Sequence, residues 1–131
     1  MSSTLSECTL LVVEPDIYIL ELLEMVFVEE GTKVYGFRNL SAVDLDNAFE
    51  TQFDLAIIAT RGYNDEVVEF LKKLRLKFSL PVLAFSCDVD IEAKADCLGF
   101  DDYIVKPFDI DTLLRQLSAA VESFRAKNRN N

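Results

Sequence analysis

The feature that most constrains this chain is an alternation. Short apolar runs on consecutive positions are separated by segments with helical spacing. Residues 9–13 read Thr-Leu-Leu-Val-Val, and residues 54–59 read Asp-Leu-Ala-Ile-Ile-Ala. Such runs suit strands buried on both faces. Residues 32–37, 81–85 and 103–105 give three further strands, the first weaker and the last very short. Between them the spacing predicts helices over residues 16–30, 41–50, 65–78, 88–98 and 109–124. Asp16 is placed to cap the first helix, Leu20, Leu23 and Phe27 form its buried stripe, and Gly31 stops it. Ser41 with Asp44 resembles a capping box. Val68, Leu71, Leu74 and Arg75 fall on helical spacing, Gly99 ends the fourth helix, and Asp109 caps the last. Five strand–helix units in strict alternation predict an α/β fold: a five-stranded parallel sheet, doubly wound, with helices on both faces.

Length allows one domain, read as residues 1–124 with a short, frayed polar tail at 125–131. Thirteen Lys plus Arg stand against 23 Asp plus Glu, a formal net charge of −10. That surface repels phosphate backbones, so direct nucleic-acid binding is not expected. With no His there is no His-based triad and no ordinary zinc site. The three cysteines, Cys8, Cys87 and Cys97, form no CxxC pair and read as free thiols, with Cys97 expected in the core. The start has no secretory pattern, and the apolar stretch 17–28 is interrupted by Glu21 and Glu24. The expectation is a cytoplasmic protein without a membrane span.

An open doubly wound sheet carries its site at the carboxyl ends of its strands. Attention therefore falls on residues 14–16, 59–64, 86–88 and 106–108. There the stretch Gly-Phe-Asp-Asp-Tyr-Ile-Val-Lys-Pro-Phe at 99–108 resembles the receiver domain of two-component response regulators. Leu-Val-Val-Glu at 11–14 resembles that family's first strand and its acidic end, and Pro-Val-Leu-Ala-Phe-Ser at 81–86 its fourth strand. The resemblance implies the flavodoxin-like (βα)5 fold. It also implies a phosphoryl-accepting Asp at the end of the third strand and Mg²⁺ held by two adjacent acids ending the first.

Neither implied feature is present. Five positions after Asp54 stands Ala59, the degenerate phosphoacceptor position, and a methyl group cannot attack phosphorus. The acidic pair is reduced to Glu14, Pro15 and Asp16, with proline where the direct metal ligand belongs. Tyr63 and Val67 replace the usual Pro and Gly of the following loop. The resemblance retains Ser86 as the hydroxyl that contacts the phosphoryl group. It retains Tyr103 as the switch aromatic, Lys106 as the cation on the phosphoryl oxygens, and Pro107, with a cis bond expected before it. Lys106 is expected to pair with Glu14 or Asp16. Arg61, two positions beyond Ala59, is a candidate filler of the vacated pocket. Asp101 and Asp102 read as solvated loop acids.

These readings predict a pseudo-receiver: a phosphorylation-independent signalling adaptor, not an enzyme, with no metal and no cofactor. It would bind a protein partner through residues 88–124, a face that opens at Asp88 and closes in the helix containing Phe124. The alternative is the N-terminal regulatory fragment of a larger two-component transcriptional or output-domain regulator. A small flavodoxin-like enzyme ranks low, because there is no hydroxyl-rich phosphate loop after Val13 and no GxGxxG.

Overall fold

Five parallel strands in the order β2-β1-β3-β4-β5 organise the computed structural model, which describes residues 4–45, 52–61, 64–87, 90–106 and 108–129. They are β1 (Thr9–Val13), β2 (Lys33–Phe37), β3 (Leu55–Ala59), β4 (Val82–Ser86) and β5 (Asp102–Val105). Among the described residues four helices connect or follow them: α1 (Ile17–Glu29), α2 (Asp65–Lys77), α3 (Ile91–Leu98) and α4 (Ile110–Arg129). All four strand pairings are parallel, with Leu11 opposite Tyr35 and Ala56, Ile57 opposite Leu83, and Phe85 opposite Ile104.

The two-residue period of the central strands sorts their side chains into two cores. Leu11, Val13, Ala56, Ile58, Val82 and Ala84 join Val67, Leu71 and Leu74 of α2 and Ala95 and Leu98 of α3. Leu10, Val12, Leu55, Ile57, Leu83 and Phe85 join Leu20, Leu23 and Phe27 of α1 and Leu113, Leu117 and Val121 of α4. Burying a Leu, Ile or Phe side chain contributes about 1.5–3 kcal/mol. The central strands β1, β3 and β4, buried almost throughout, therefore hold the sheet more firmly than edge strand β2.

Local signals set the element ends. Asp16 Oδ1 accepts from the backbone N–H groups of Tyr18 and Ile19, at 2.9 and 3.3 Å, and starts α1. Gly99 follows α3 in the left-handed region at φ +100°, which a side chain would strain. At Gly36 the limit is space: an added Cβ would lie 2.9 Å from Leu20 Cδ1 of α1.

Three expectations need correction. Between β2 and β3 the segment opening at Ser41 is not helical over the described residues beyond a three-residue 3-10 turn, Leu40–Ala42. Asn39, not Ser41, caps that turn, accepting from Ala42 N at 2.9 Å, and Ser41 Oγ donates to Asn39 Oδ1. Val43 and Leu45 are buried on either side of exposed Asp44, an alternation that favours extended chain over helix. Residues 46–50 of the expected helix lie outside the described residues. The expected frayed tail is also not observed up to Arg129, because α4 continues through it. Arg125 Nη2 there lies 3.5 Å from Asp54 Oδ1, and Asp54 Oδ2 accepts from Thr9 N at 2.7 Å. Arg125 also donates to Cys8 Sγ at 3.6 Å, and Thr4 Oγ1 donates to Glu122. The N-terminal turn, β1 and the end of α4 are thus clasped together. Finally, Cys97 is exposed and outside the core, because the α3 stripe that faces the sheet is Ile91, Ala95 and Leu98.

Candidate functional site

The carboxyl ends of the strands bring together residues far apart in sequence. Glu14 follows β1 and is 1% exposed, with its backbone N–H donating to Phe37 O at 2.9 Å. Its Oε2 accepts from Asp16 N at 3.0 Å. Its Oε1 lies 2.5 Å from Lys106 Nζ, which follows β5. The Lys106 ammonium also sits 4.6 Å from the centroid of the Phe85 ring, a cation–π contact, and that ring packs on Phe108. Lys106 is thus held by a buried carboxylate and an aromatic face. Of the two partners anticipated for it, Glu14 is the one used. Asp16 is exposed and occupied as the α1 cap.

Beside this pair opens a cavity of about 300 Å³, lined among others by Pro15, Ala59, Arg61, Ser86 and Lys106. Ser86 is 2% exposed. Ala59, the last residue of β3, is in that lining with a methyl side chain. Arg61, the candidate pocket filler, lines the cavity, and it makes no ion pair with Glu14 or Asp16. Tyr103 is not in this cavity. It is half-buried against the α2–α3 core, and its carbonyl accepts from Gln116 Nε2 at 2.5 Å. Pro107 and Asp88 lie outside the described residues, as does the bond expected to be cis.

The residues present do not fit Mg²⁺. That ion requires oxygen ligands in near-octahedral array, usually with more than one carboxylate or a phosphate. Of the three positions 14–16, one carboxylate is neutralised by a lysine, one residue is proline, and one carboxylate caps a helix. Among the described residues no group of three or more metal-ligating side chains is present.

Sequence reasoning missed Arg38, Asn39 and Leu40, which follow β2 and form another wall of the cavity. Arg38 Nη2 donates to Pro15 O at 3.3 Å. The signal was available: β2 is parallel to β1, so its carboxyl end must open on the same edge. Asp101, expected to be solvated, is instead anchored, its Oδ2 accepting from Val82 N at 2.7 Å and pairing with Arg75 Nη2 at 3.0 Å. A hollow of about 640 Å³ near Thr4, Asp54, Glu122 and Arg125 is larger. Its charges already satisfy one another, and it lies at the opposite end of the strands from the cavity.

Two titrating groups outside the cavity are shifted. Asp109 is held below the ordinary carboxylate value by hydrogen bonds from the backbone N–H and then the hydroxyl of Thr112, opposed by slight desolvation and aided by Arg115. The Cys8 thiol is pushed up, first by burial and then by Asp54, while Arg125 opposes both. Among the described residues no helix is long and apolar enough to cross a membrane.

No family model matches the chain. Its sequence is 31% identical over 114 residues to the response regulator ArlR of Staphylococcus epidermidis, covering 86% of this chain and 52% of that protein. The chain therefore spans about half the length of the curated relatives it matches. Among solved structures, it superimposes on a CheY-like receiver domain protein from Methanospirillum hungatei. The TM-score is 0.75 at 21% identity, covering 93% of this chain and 99% of that one. It also superimposes on the signal receiver domain of an HD domain-containing protein from Pseudomonas fluorescens. Here the TM-score is 0.77 at 22% identity, with 95% and 93% covered. The fold is thus the CheY-like receiver fold, and homologues and fold together support a receiver domain of the response-regulator type.

Proposed function

We propose that this chain is a pseudo-receiver: a receiver domain that keeps the fold and lacks the phosphorylation switch, acting as a signalling adaptor by protein–protein contact and not as an enzyme. The observation that carries this reading is Ala59 at the end of β3, beside a lysine already neutralised by Glu14. Phosphoryl transfer to the domain requires a carboxylate nucleophile and a metal ion on the phosphoryl oxygens. In this reading Ala59 is the degenerate acceptor, and Glu14, Pro15 and Asp16 the degenerate acidic pocket. Ser86, Tyr103, Lys106 and Pro107 are inherited switch positions without a covalent signal to answer. A ligand moves an equilibrium only by its differential affinity for the two states. With no modification to supply that difference, one conformation dominates, fixed mainly by packing. The partner docks on residues 88–124, where Val105 and Ile110 are exposed apolar side chains. The reading places the protein in the cytoplasm, with no direct contact to nucleic acid or membrane.

A second reading, the N-terminal regulatory part of a larger regulator, is favoured by one observation: the matched region is about half of ArlR. The two readings are compatible, because a degenerate receiver can serve an attached output domain.

The test is intact-mass spectrometry after incubation with acetyl phosphate and Mg²⁺. The mass stays unchanged on this reading. A Mg²⁺-dependent adduct mapped to a carboxylate overturns it.

A further inference from the structure

The cavity at the carboxyl ends of the strands has a charge opposite to that of the whole chain. The protein carries a net charge of −10, yet Arg38, Arg61 and Lys106 all line this one cavity. Glu14 and Asp16 are committed elsewhere. Glu14 faces Lys106 and accepts from Asp16 N, while Asp16 Oδ1 accepts from two backbone N–H groups of α1. Among the described residues Glu66, exposed, is the one carboxylate in the lining. Among the described residues Arg61 makes no ion pair, and Arg38 has only the 3.3 Å bond to Pro15 O. Thr60 is also in the lining, and its hydroxyl oxygen is buried without a hydrogen-bond partner among the described residues. A buried hydroxyl left unpaired is costly unless something arrives to satisfy it. Val13 and Val67 add buried apolar wall.

From this juxtaposition we infer that the cavity binds a small organic dianion, a phosphate monoester or a dicarboxylate, reversibly and without metal. Arg38 and Arg61 grip its charged head. A guanidinium presents a planar fork of donors that matches two oxygens of one carboxylate or phosphate, which a lysine does not. By turning about its side-chain bond toward the cavity, the buried Thr60 hydroxyl donates to the same head, and the organic body lies on the apolar wall. The volume, about 300 Å³, suits a small ligand. The inference rests on the pseudo-receiver reading in one respect: the ligand is held without a covalent bond because Ala59 offers no acceptor. Where an ordinary switch is set by modification, this site would be set by ligand concentration.

The experiment is calorimetric titration of the full chain with glycerol 3-phosphate, with succinate and with inorganic phosphate, in EDTA at constant ionic strength, with backbone amide shifts followed by NMR. At least one organic dianion is expected to bind saturably, shifting the amides of Thr60 and Ser86, with affinity unchanged when Mg²⁺ replaces EDTA. Whichever probe binds identifies the head group, and inorganic phosphate, lacking the organic body, binds more weakly. Arg38→Gln and Arg61→Gln should each weaken binding about tenfold, and the double variant should abolish it, whereas Lys72→Gln, an exposed position of α2, changes nothing. Both arginines are exposed, so the variants retain the fold, as circular dichroism will show. No saturable binding, binding that needs Mg²⁺, or equal binding by the double variant overturns the inference. Mass spectrometry of the same samples separates the two claims, because a covalent adduct sinks the pseudo-receiver reading whatever the titration shows.

Discussion

Lys106 Nζ and Glu14 Oε1 lie 2.5 Å apart, with the carboxylate 1% exposed and the lysine side chain 19% exposed. The two partners are therefore not equivalent. The lysine keeps some contact with water and rests on Phe85, whereas the carboxylate has no such outlet. Removing the cation strands a buried negative charge, and removing the carboxylate leaves a cation that can turn toward solvent. Lys106→Met is expected to destabilise the fold by about 3 kcal/mol, and Glu14→Gln by clearly less. Urea denaturation of both variants checks this, and equal losses would show that the lysine is as trapped as the carboxylate.

Restoring the missing groups tests what each substitution removed. Ala59→Asp alone should gain no adduct with acetyl phosphate, because Pro15 still supplies no metal ligand. Combining it with Pro15→Asp should give a measurable Mg²⁺-dependent mass increase. An adduct on the single variant would mean that Glu14 and Asp16 suffice to recruit the ion.

Asp101 ties β5 to β4 through the backbone N–H of Val82. Asp101→Ala should leave that N–H unpaired, lose the Arg75 contact, and cost about 1–2 kcal/mol. Amide exchange at Val82 should accelerate in the variant, and unchanged exchange would place its protection elsewhere.

Asp109 links stability to acid. Its folded-state pKa is lowered from the ordinary value of 3.8, so its contribution is present above that value and fades as pH falls through the lower folded one. Asp109→Asn keeps an acceptor for Thr112 N but no longer titrates. Below pH 3.8 its thermal midpoint should fall less steeply with acid than that of the unmutated protein. Parallel acid profiles would show that the cap does not sense protonation.

The sheet was legible because both faces of its central strands are buried, leaving consecutive apolar runs that only a covered parallel strand explains. The helices at α1 and α4 were legible from Asp16 and Asp109 at their starts. The segment opening at Ser41 misled because its hydroxyl, aspartate and spacing imitate a capping box. Val43 and Leu45 are buried because they join the core that α2 and α3 share with the sheet, which no local pattern reveals. The end of α4 was misjudged for a similar reason, since Arg125 is polar in sequence and becomes a tether only when Asp54 and Cys8 come beside it. At the site, Ala59, Pro15 and Lys106 could be read from position along the strands. Arg38 was passed over although a parallel sheet opens the carboxyl end of β2 on the same edge, because the family resemblance drew the eye to the other strands.

The clasp between the N-terminal turn and α4 makes Cys8 a clock. Cys87 and Cys97 are exposed and open to a thiol reagent at once, while Cys8 is buried and donates to Thr4 O at 3.0 Å. Its sulfur meets reagent only when the turn and the end of α4 part, and its raised pKa slows reaction further near neutral pH. Its labelling half-life therefore counts how often that end of the molecule opens. Anything that steadies α4, whether a bound partner or a chain extending beyond it, should lengthen that interval without touching the cysteine.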